Sequence, residues 1–273
     1  VNLTVVHRGS ASASLAILGL LALLAVPVQA SPDWRYRTEI VGGWRHVQER
    51  EDGTTLVRES GLSAGIRSSL ERPVGVWMVR MGGELSAAAL DYDGSTQAGA
   101  PLHTDTDWSS ERIAATVGRR FKWAAGVELN GRLEYQHRVR DISSKPGAAG
   151  LTENYRTLWL GLGTAIAPIA LLSLELNFAC AIHSKVDVEF DSALDDASIS
   201  VDRHCRAGFA APFEIARIGK STVYLRPHVD WERYPRSADA QLTSGGAPVG
   251  RVHLPKTTFV ALGVSIGFGR GFE

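Results

Sequence analysis

Along Leu172–Phe190, apolar and polar side chains alternate for nineteen residues. The even positions include Leu172, Leu174, Leu176, Phe178, Cys180 and Ile182, then Val186, Val188 and Phe190. The odd positions include Glu175, Asn177, His183, Lys185, Asp187 and Glu189. Successive side chains of a strand point to opposite faces, so the pattern predicts one strand with a greasy face and a charged face. Ordinary strands are about five or six residues long. At roughly 3.3 Å per residue and a tilt of about 45°, this one climbs about 44 Å, whereas the apolar band of an outer-membrane barrel is about 25 Å tall. The strictly apolar part, Leu172 to Ile182, spans about 26 Å by the same arithmetic. The expectation is a membrane crossing up to about Ile182, with a protruding tip that carries Asp187 and Glu189 on its inward face.

Ten segments alternate in this way, near 36–50, 55–69, 74–92, 107–120, 123–141, 152–167, 170–190, 198–213, 220–234 and 256–272. Their connections differ in length by turns. Glu71-Arg72-Pro73, Arg120-Phe121-Lys122, Ala167-Pro168-Ile169 and the stretch 215–220 are short. The stretches 94–101, 143–150, 191–197 and 236–255 are long or rich in Gly, Ser and Asp, with the tight Glu51-Asp52-Gly53-Thr54 as an exception. Short turns on one side and long loops on the other are the layout of an outer-membrane barrel, and ten strands put both chain ends on the short-turn side. The last segment presents Val260, Leu262, Val264, Ile266, Phe268 and Phe272 on one face. A terminal aromatic of this kind is what the barrel-assembly machinery reads, although Phe272 stands one residue before the end.

The first thirty residues belong to a different pattern. His7 and Arg8 precede an apolar run, Leu15 to Val28, which closes on Val28-Gln29-Ala30. That predicts a secretory signal over 1–30, leaving 31–273 as one domain. The run is too short for a spanning helix, and no later segment approaches eighteen continuous apolar residues. The formal net charge is zero, which argues against a nucleic-acid partner. An export signal with distributed alternation predicts an all-β, transmembrane antiparallel β-barrel in the bacterial outer membrane, surrounded by lipid and lipopolysaccharide. A soluble periplasmic β-sandwich is the competing class.

Two cysteines fit an oxidising compartment. Folding the seventh and eighth segments about Leu194 sets Cys180 opposite Cys205 on the outward face. A cross-strand disulfide and two buried thiols are equally compatible, because one step of register separates them. On the inward faces, the fifth segment places Glu128, Arg132, Glu134, Gln136, Arg138 and Arg140, the ninth Tyr224, Arg226, His228, Asp230 and Glu232, and the eighth Asp202, His204 and Arg206. Mixed charge in a narrow lumen predicts a ladder of ion pairs that fills it, rather than an open channel.

Chemistry is expected at the outer ends of strands. In His103-Thr104-Asp105-Thr106-Asp107-Trp108 an extended backbone puts His103, Asp105 and Asp107 on one face. The plain alternative is a loop of solvated or Asx-turn aspartates. Asp187-Val188-Glu189-Phe190 is the second place, and alone it is a solvated strand end. There is no Ser-centred nucleophile elbow, zinc-ligand spacing or phosphate loop. Histidine with serine would suit a lipid A esterase, but neither residue is distinctive here.

Taken together, these two motifs and the ten-segment layout resemble the omptins, outer-membrane endopeptidases whose ten-stranded barrels protrude above the membrane and carry an active site in a groove at the top. Asp105-Thr106-Asp107-Trp108 is similar to their catalytic Asp-x-Asp-Trp. Asp187-Val188-Glu189-Phe190 stands where the family has Asp-x-His-aromatic, with Glu189 in the place of the histidine. The resemblance implies a water held by Asp105 and Asp107 and activated by Asp187 with its neighbour, acting on a polypeptide substrate without a cofactor. Histidine titrates near neutrality, whereas a glutamate near about 4.3 is a poor base unless like charges raise it. His103 is the substitute base if its loop crosses the mouth, and His183 lies about 13 Å deeper than Asp187. A carboxylate pair sharing a proton, or four carboxylates holding Ca²⁺, are the other outcomes. The expected functions are a surface endopeptidase or an altered relative, a non-enzymatic structural, adhesive or ligand-binding barrel, and, least favoured, a narrow porin.

Overall fold

The computed structural model describes residues 34–95, 100–121, 126–169 and 171–270. The expected signal and the terminal Phe272 lie outside these residues. Seven long strands follow one another as antiparallel neighbours: β1 (Arg35–Glu51), β2 (Thr54–Val74), β3 (Trp77–Ser95), β4 (Pro101–Arg120), β5 (Glu128–Ile142), β6 (Leu151–Ile169) and β7 (Leu172–Phe190). The eighth stave is built from three short pieces, β8 (Ala197–Ser200), β9 (Cys205–Ala210) and β10 (Phe213–Ile218), each paired with β7. β11 (Ser221–Tyr234) is the ninth stave. The last outer loop contains a hairpin, β12 (Ala240–Ser244) with β13 (Ala247–Val252). β14 (Lys256–Arg270) then closes the ring on β1, from Tyr36 opposite Arg270 to Arg50 opposite Lys256. The result is a closed ten-staved antiparallel barrel, in which closure pairs the edges of the long strands internally.

The strand bounds follow the alternating segments, with local differences. The expected short turns at Ala167-Pro168-Ile169 and 215–220 fall largely inside β6 and β10, which run on to Ile169 and Ile218. Pro73 pairs with Met78, so the β2–β3 turn is Gly75-Val76, where Gly75 adopts φ 62°. Residues 101–106, expected in a loop, extend β4 and pair with β3. Asp202 is exposed in the connection between β8 and β9, and only His204 and Arg206 of its expected trio turn inward.

A lipid-facing belt encircles the middle of the barrel. Ile40, Leu62, Ile113, Leu162, Phe178 and Ile266 are among its exposed side chains, which would be costly in water and are not in hydrocarbon. Aromatic residues border it: Tyr36, Trp77 and Phe268 toward the short turns, and Trp44, Tyr135 and Trp231 toward the outer loops. Such girdles sit at the headgroup level. Cys180 and Cys205 are register partners on the outward face and form a disulfide, with Cα atoms 4.0 Å apart.

Inside the belt runs the expected ladder of charges. Arg138 pairs with Glu232 at 2.9 Å, Arg206 with Glu134 at 2.6 Å, and Arg67 with Glu84 at 2.8 Å. Above the belt the solvent changes from lipid to water, and the interior changes with it. Val47, Leu90, Trp108, Tyr155, Val186, Val188, Tyr234 and Phe259 form one buried apolar cluster that fills the upper lumen.

β7 hides a break in its regular alternation. Leu158 pairs with His183 while its neighbour Trp159 pairs with Ala181, so Ile182 is the extra residue of a β-bulge. Below the bulge, even positions such as Leu176, Phe178 and Ile182 face lipid. Above it, Ser184, Val186 and Val188 are buried. Asp187 and Glu189 therefore stand on the outer wall, not on the inward face that unbroken alternation predicts.

Candidate functional site at the outer mouth

β4 carries the Asp-x-Asp-Trp motif without a bulge. Thr104, Thr106 and Trp108 are buried in the lumen, so His103, Asp105 and Asp107 point away from it. Trp108 Nε1 donates to Glu59 at 2.9 Å, which fixes this face. His103 Nδ1 lies 3.3 Å from Asp93, its cross-strand partner. Asp187 lies 2.8 Å from the Lys185 ammonium and 3.5 Å from Arg156. The hydrogen bond from Lys185, with others from Ser198 and the charge of Arg156, holds the Asp187 carboxyl below the usual aspartate range. Glu189 accepts from Asn154 Nδ2 at 3.1 Å.

The five residues do not converge. Asp107, Asp141, Thr152 and Glu189 lie in one hydrogen-bonded rank across β4, β5, β6 and β7. Strands are about 4.8 Å apart, so three steps separate Asp107 from Glu189 by about 14 Å along the outer wall. One water cannot bridge that span. Among the described residues no three His, Cys, Asp or Glu side chains group closely enough to hold a metal ion.

The inward positions at this height hold a different constellation. Arg140 donates to Glu59 from Nε at 3.0 Å and from Nη2, and its Nη1 reaches Glu49 at 2.6 Å and Glu153 at 2.8 Å. Tyr155 donates to Glu153 at 2.7 Å. One guanidinium thus serves three buried carboxylates. Burial raises the Glu49 pKa; Arg140 opposes the rise, and Glu153 and Glu59 add to it. Burial and the same carboxylates push the Tyr92 phenol up to about 12. The sequence pointed to Arg140 but not to its acidic partners. The available signal was parity: on β4, Ile113 and Val117 are apolar at odd positions, whereas Trp108 above them is apolar at an even one.

At the rim, His253 Nε2 is 2.8 Å from Glu51 and its Nδ1 is 3.5 Å from Asp239. Arg236 joins both carboxylates, at 3.3 and 2.7 Å. Two outer loops are clasped beside it. Asp195 accepts from the backbone N–H groups of Gly245 and Gly246 at 3.1 and 2.9 Å, and Ser244 donates to the Ala193 carbonyl at 2.7 Å. The backbone bond from Gly246, then the side-chain hydrogen bond from Thr243, lead the causes that keep the Asp195 pKa below the usual range.

No protein-family model matches the chain, and no curated protein sequence matches it. Solved structures do. The outer membrane protease OmpT from Escherichia coli superposes with a TM-score of 0.56 at 10% identity, covering 87% of this chain and 96% of that one. The translocator domain of the autotransporter NalP from Neisseria meningitidis gives a TM-score of 0.50 at 12% identity, covering 96% and 97%. At such identities the likeness is one of fold, that of an outer-membrane β-barrel.

Proposed function

We propose that this chain is a non-enzymatic outer-membrane surface protein, which presents its outer loops and protruding wall while closing its own lumen. The observation that carries this reading is the filled upper barrel. Trp108, Tyr155, Tyr234 and Phe259 pack ring against ring with centroids 5.4–6.2 Å apart, where an endopeptidase of this architecture needs an open groove lined by its carboxylates. Lipopolysaccharide is the natural lipid partner. One rank above the belt, Glu111, His137, Arg156 and Lys185 stand in register across β4–β7. The cations of that rank suit phosphate groups above acyl chains.

The test is a peptide-library digest by the protein refolded in lipopolysaccharide, from pH 4 to 8, together with planar-bilayer recordings. The expected outcome is no cleavage and no conductance. Cleavage lost on Asp107→Ala overturns the reading in favour of the omptin-like site at Asp105, Asp107, Asp187 and Glu189. A second reading keeps hydrolysis and moves it to the rim, supported by the imidazole of His253 held between Glu51 and Asp239. It predicts cleavage that His253→Ala abolishes and Asp107→Ala leaves intact.

A further inference from the structure

The lower lumen is a cavity of about 660 Å³ that runs from mid-barrel to the short-turn rim, where Arg35, Glu71, Arg120 and Pro212 border it. Ten arginines line it against seven carboxylates. Most of the charges are matched. Arg80 and Arg120 share Glu71, and Arg226 takes Glu175 at 2.9 Å. Arg132 and Arg206 share Glu134.

Arg112 breaks the pattern. Its cross-strand neighbour Glu84 is already held by Arg67 at 2.8 Å, and the Arg112 Nε is buried without a hydrogen-bond partner. Among the described residues no carboxylate comes within ion-pair distance of its guanidinium. Arg132 lies within electrostatic reach of Arg67, Arg112 and Arg206, and Asp230 within reach of Arg67 and Arg206. Arg67 also reaches Glu39 at 3.3 Å, and Glu232 lies within reach of Arg206. Counted with Glu175 and with the arginines that already hold these carboxylates, Arg37, Arg226 and Arg138, the set is seven guanidiniums to six carboxylates: Glu39, Glu84, Glu134, Glu175, Asp230 and Glu232.

A charge without a partner is costly in a lumen walled by lipid-embedded strands. The apolar cluster closes the barrel above, so compensation enters from the short-turn end, the periplasmic side of an outer-membrane barrel. Guanidinium forks match oxyanions in planar, bidentate geometry, and the cavity is of small-ligand size. We propose that this vestibule binds a phosphate group, free or as a small monoester, at Arg112 with Arg67, Arg132 and Arg206. The closure above makes it a binding site and not a conduit.

The test uses the full chain refolded in zwitterionic detergent, titrated calorimetrically with inorganic phosphate and with glycerol phosphate at fixed ionic strength. Saturable one-to-one binding is expected, and whichever of the two binds more tightly identifies free phosphate or an ester as the occupant. Arg112→Gln, which breaks no ion pair, should weaken binding roughly tenfold. Thr116 pairs in register with both Arg80 and Arg132, so Thr116→Glu brings a compensating carboxylate to the site. It should abolish binding while the barrel keeps its folded gel mobility. Arg156→Gln on the outer wall should change nothing. No saturable heat in the wild type overturns the proposal. So does unchanged affinity in both lumen variants, or a loss in Arg156→Gln equal to theirs.

Discussion

Replacing Arg140 by methionine should be among the most damaging single substitutions in the barrel, and its cost should depend on pH in a defined direction. The side chain is buried and reaches Glu49, Glu59 and Glu153 through three of its nitrogens. Methionine keeps much of the volume and leaves three buried carboxylates without a cation. Removing one partner of a buried pair costs about 3–5 kcal/mol, set against a typical total stability of about 5–15 kcal/mol. With a urea slope near 2 kcal/mol/M, the unfolding midpoint should fall by roughly 2 M. The direction with pH follows from Glu49, whose folded-state pKa is raised by burial. A raised carboxylate contributes stability that is present below its unfolded pKa and is lost as pH rises through the folded one. Without Arg140 to oppose that rise, the deficit should be largest near pH 8 and shrink toward pH 4. Urea titrations in vesicles, followed by tryptophan fluorescence and gel mobility, would measure it. Adding Glu49→Gln and Glu59→Gln to Arg140→Met should recover most of the loss. An equal deficit at pH 4 and pH 8 would refute the reasoning, because it would make the loss one of packing.

Deletion of Ile182 should be tolerated, with a stability change within about 1 kcal/mol, because it removes the bulge without changing any register pair; deletion of Phe178 should abolish folding on gels, because it turns one side of the strand inside out. Reduction of Cys180–Cys205, which closes a separation of 25 residues, should lower stability by about 2–4 kcal/mol, read as a shift in urea midpoint with and without reductant. Asp195→Ala should release the β12–β13 hairpin and speed proteolysis near Gly245-Gly246 without changing barrel stability. In the wild type, the lowered Asp195 pKa keeps the clasp present above the ordinary aspartate range and loosens it as pH falls through the folded value, so protection of the hairpin should fade in acid.

The strands were legible because a barrel writes its two faces into every second residue. Both faces of β5 and β11 were read correctly, down to Arg138 and Glu232, now seen 2.9 Å apart. The upper lumen was not legible, because two inversions cancel on β7. Crossing from lipid to water moves the apolar residues from the outer face to the inner one. The bulge at Ile182 moves each side chain to the other face at the same height. Phe178 faces out and Val188 faces in, yet both fall on even numbers, so the alternation looks unbroken. On β4 no bulge intervenes, and the switch from Ile113 to Trp108 records the inversion openly. That switch carries Asp105 and Asp107 to the outer wall, although the resemblance of their motif to the omptin one leads to the expectation that they line a groove. Short motifs record spacing along the chain, whereas facing depends on the height of the strand in the membrane.

The interrupted eighth stave determines where this ring is weakest. The junction of first and last strands is a continuous zipper of fifteen register pairs. The junction of β7 with β8, β9 and β10 consists of separate runs of four, six and one. The junction of the same stave with β11 is likewise broken, into runs of six and five, so lateral parting under load should begin beside the eighth stave and not at the chain's own closure. The one covalent tie across the β7 junction, Cys180–Cys205, sits at the end of its longest run, where a tear spreading down from the outer loops would be arrested.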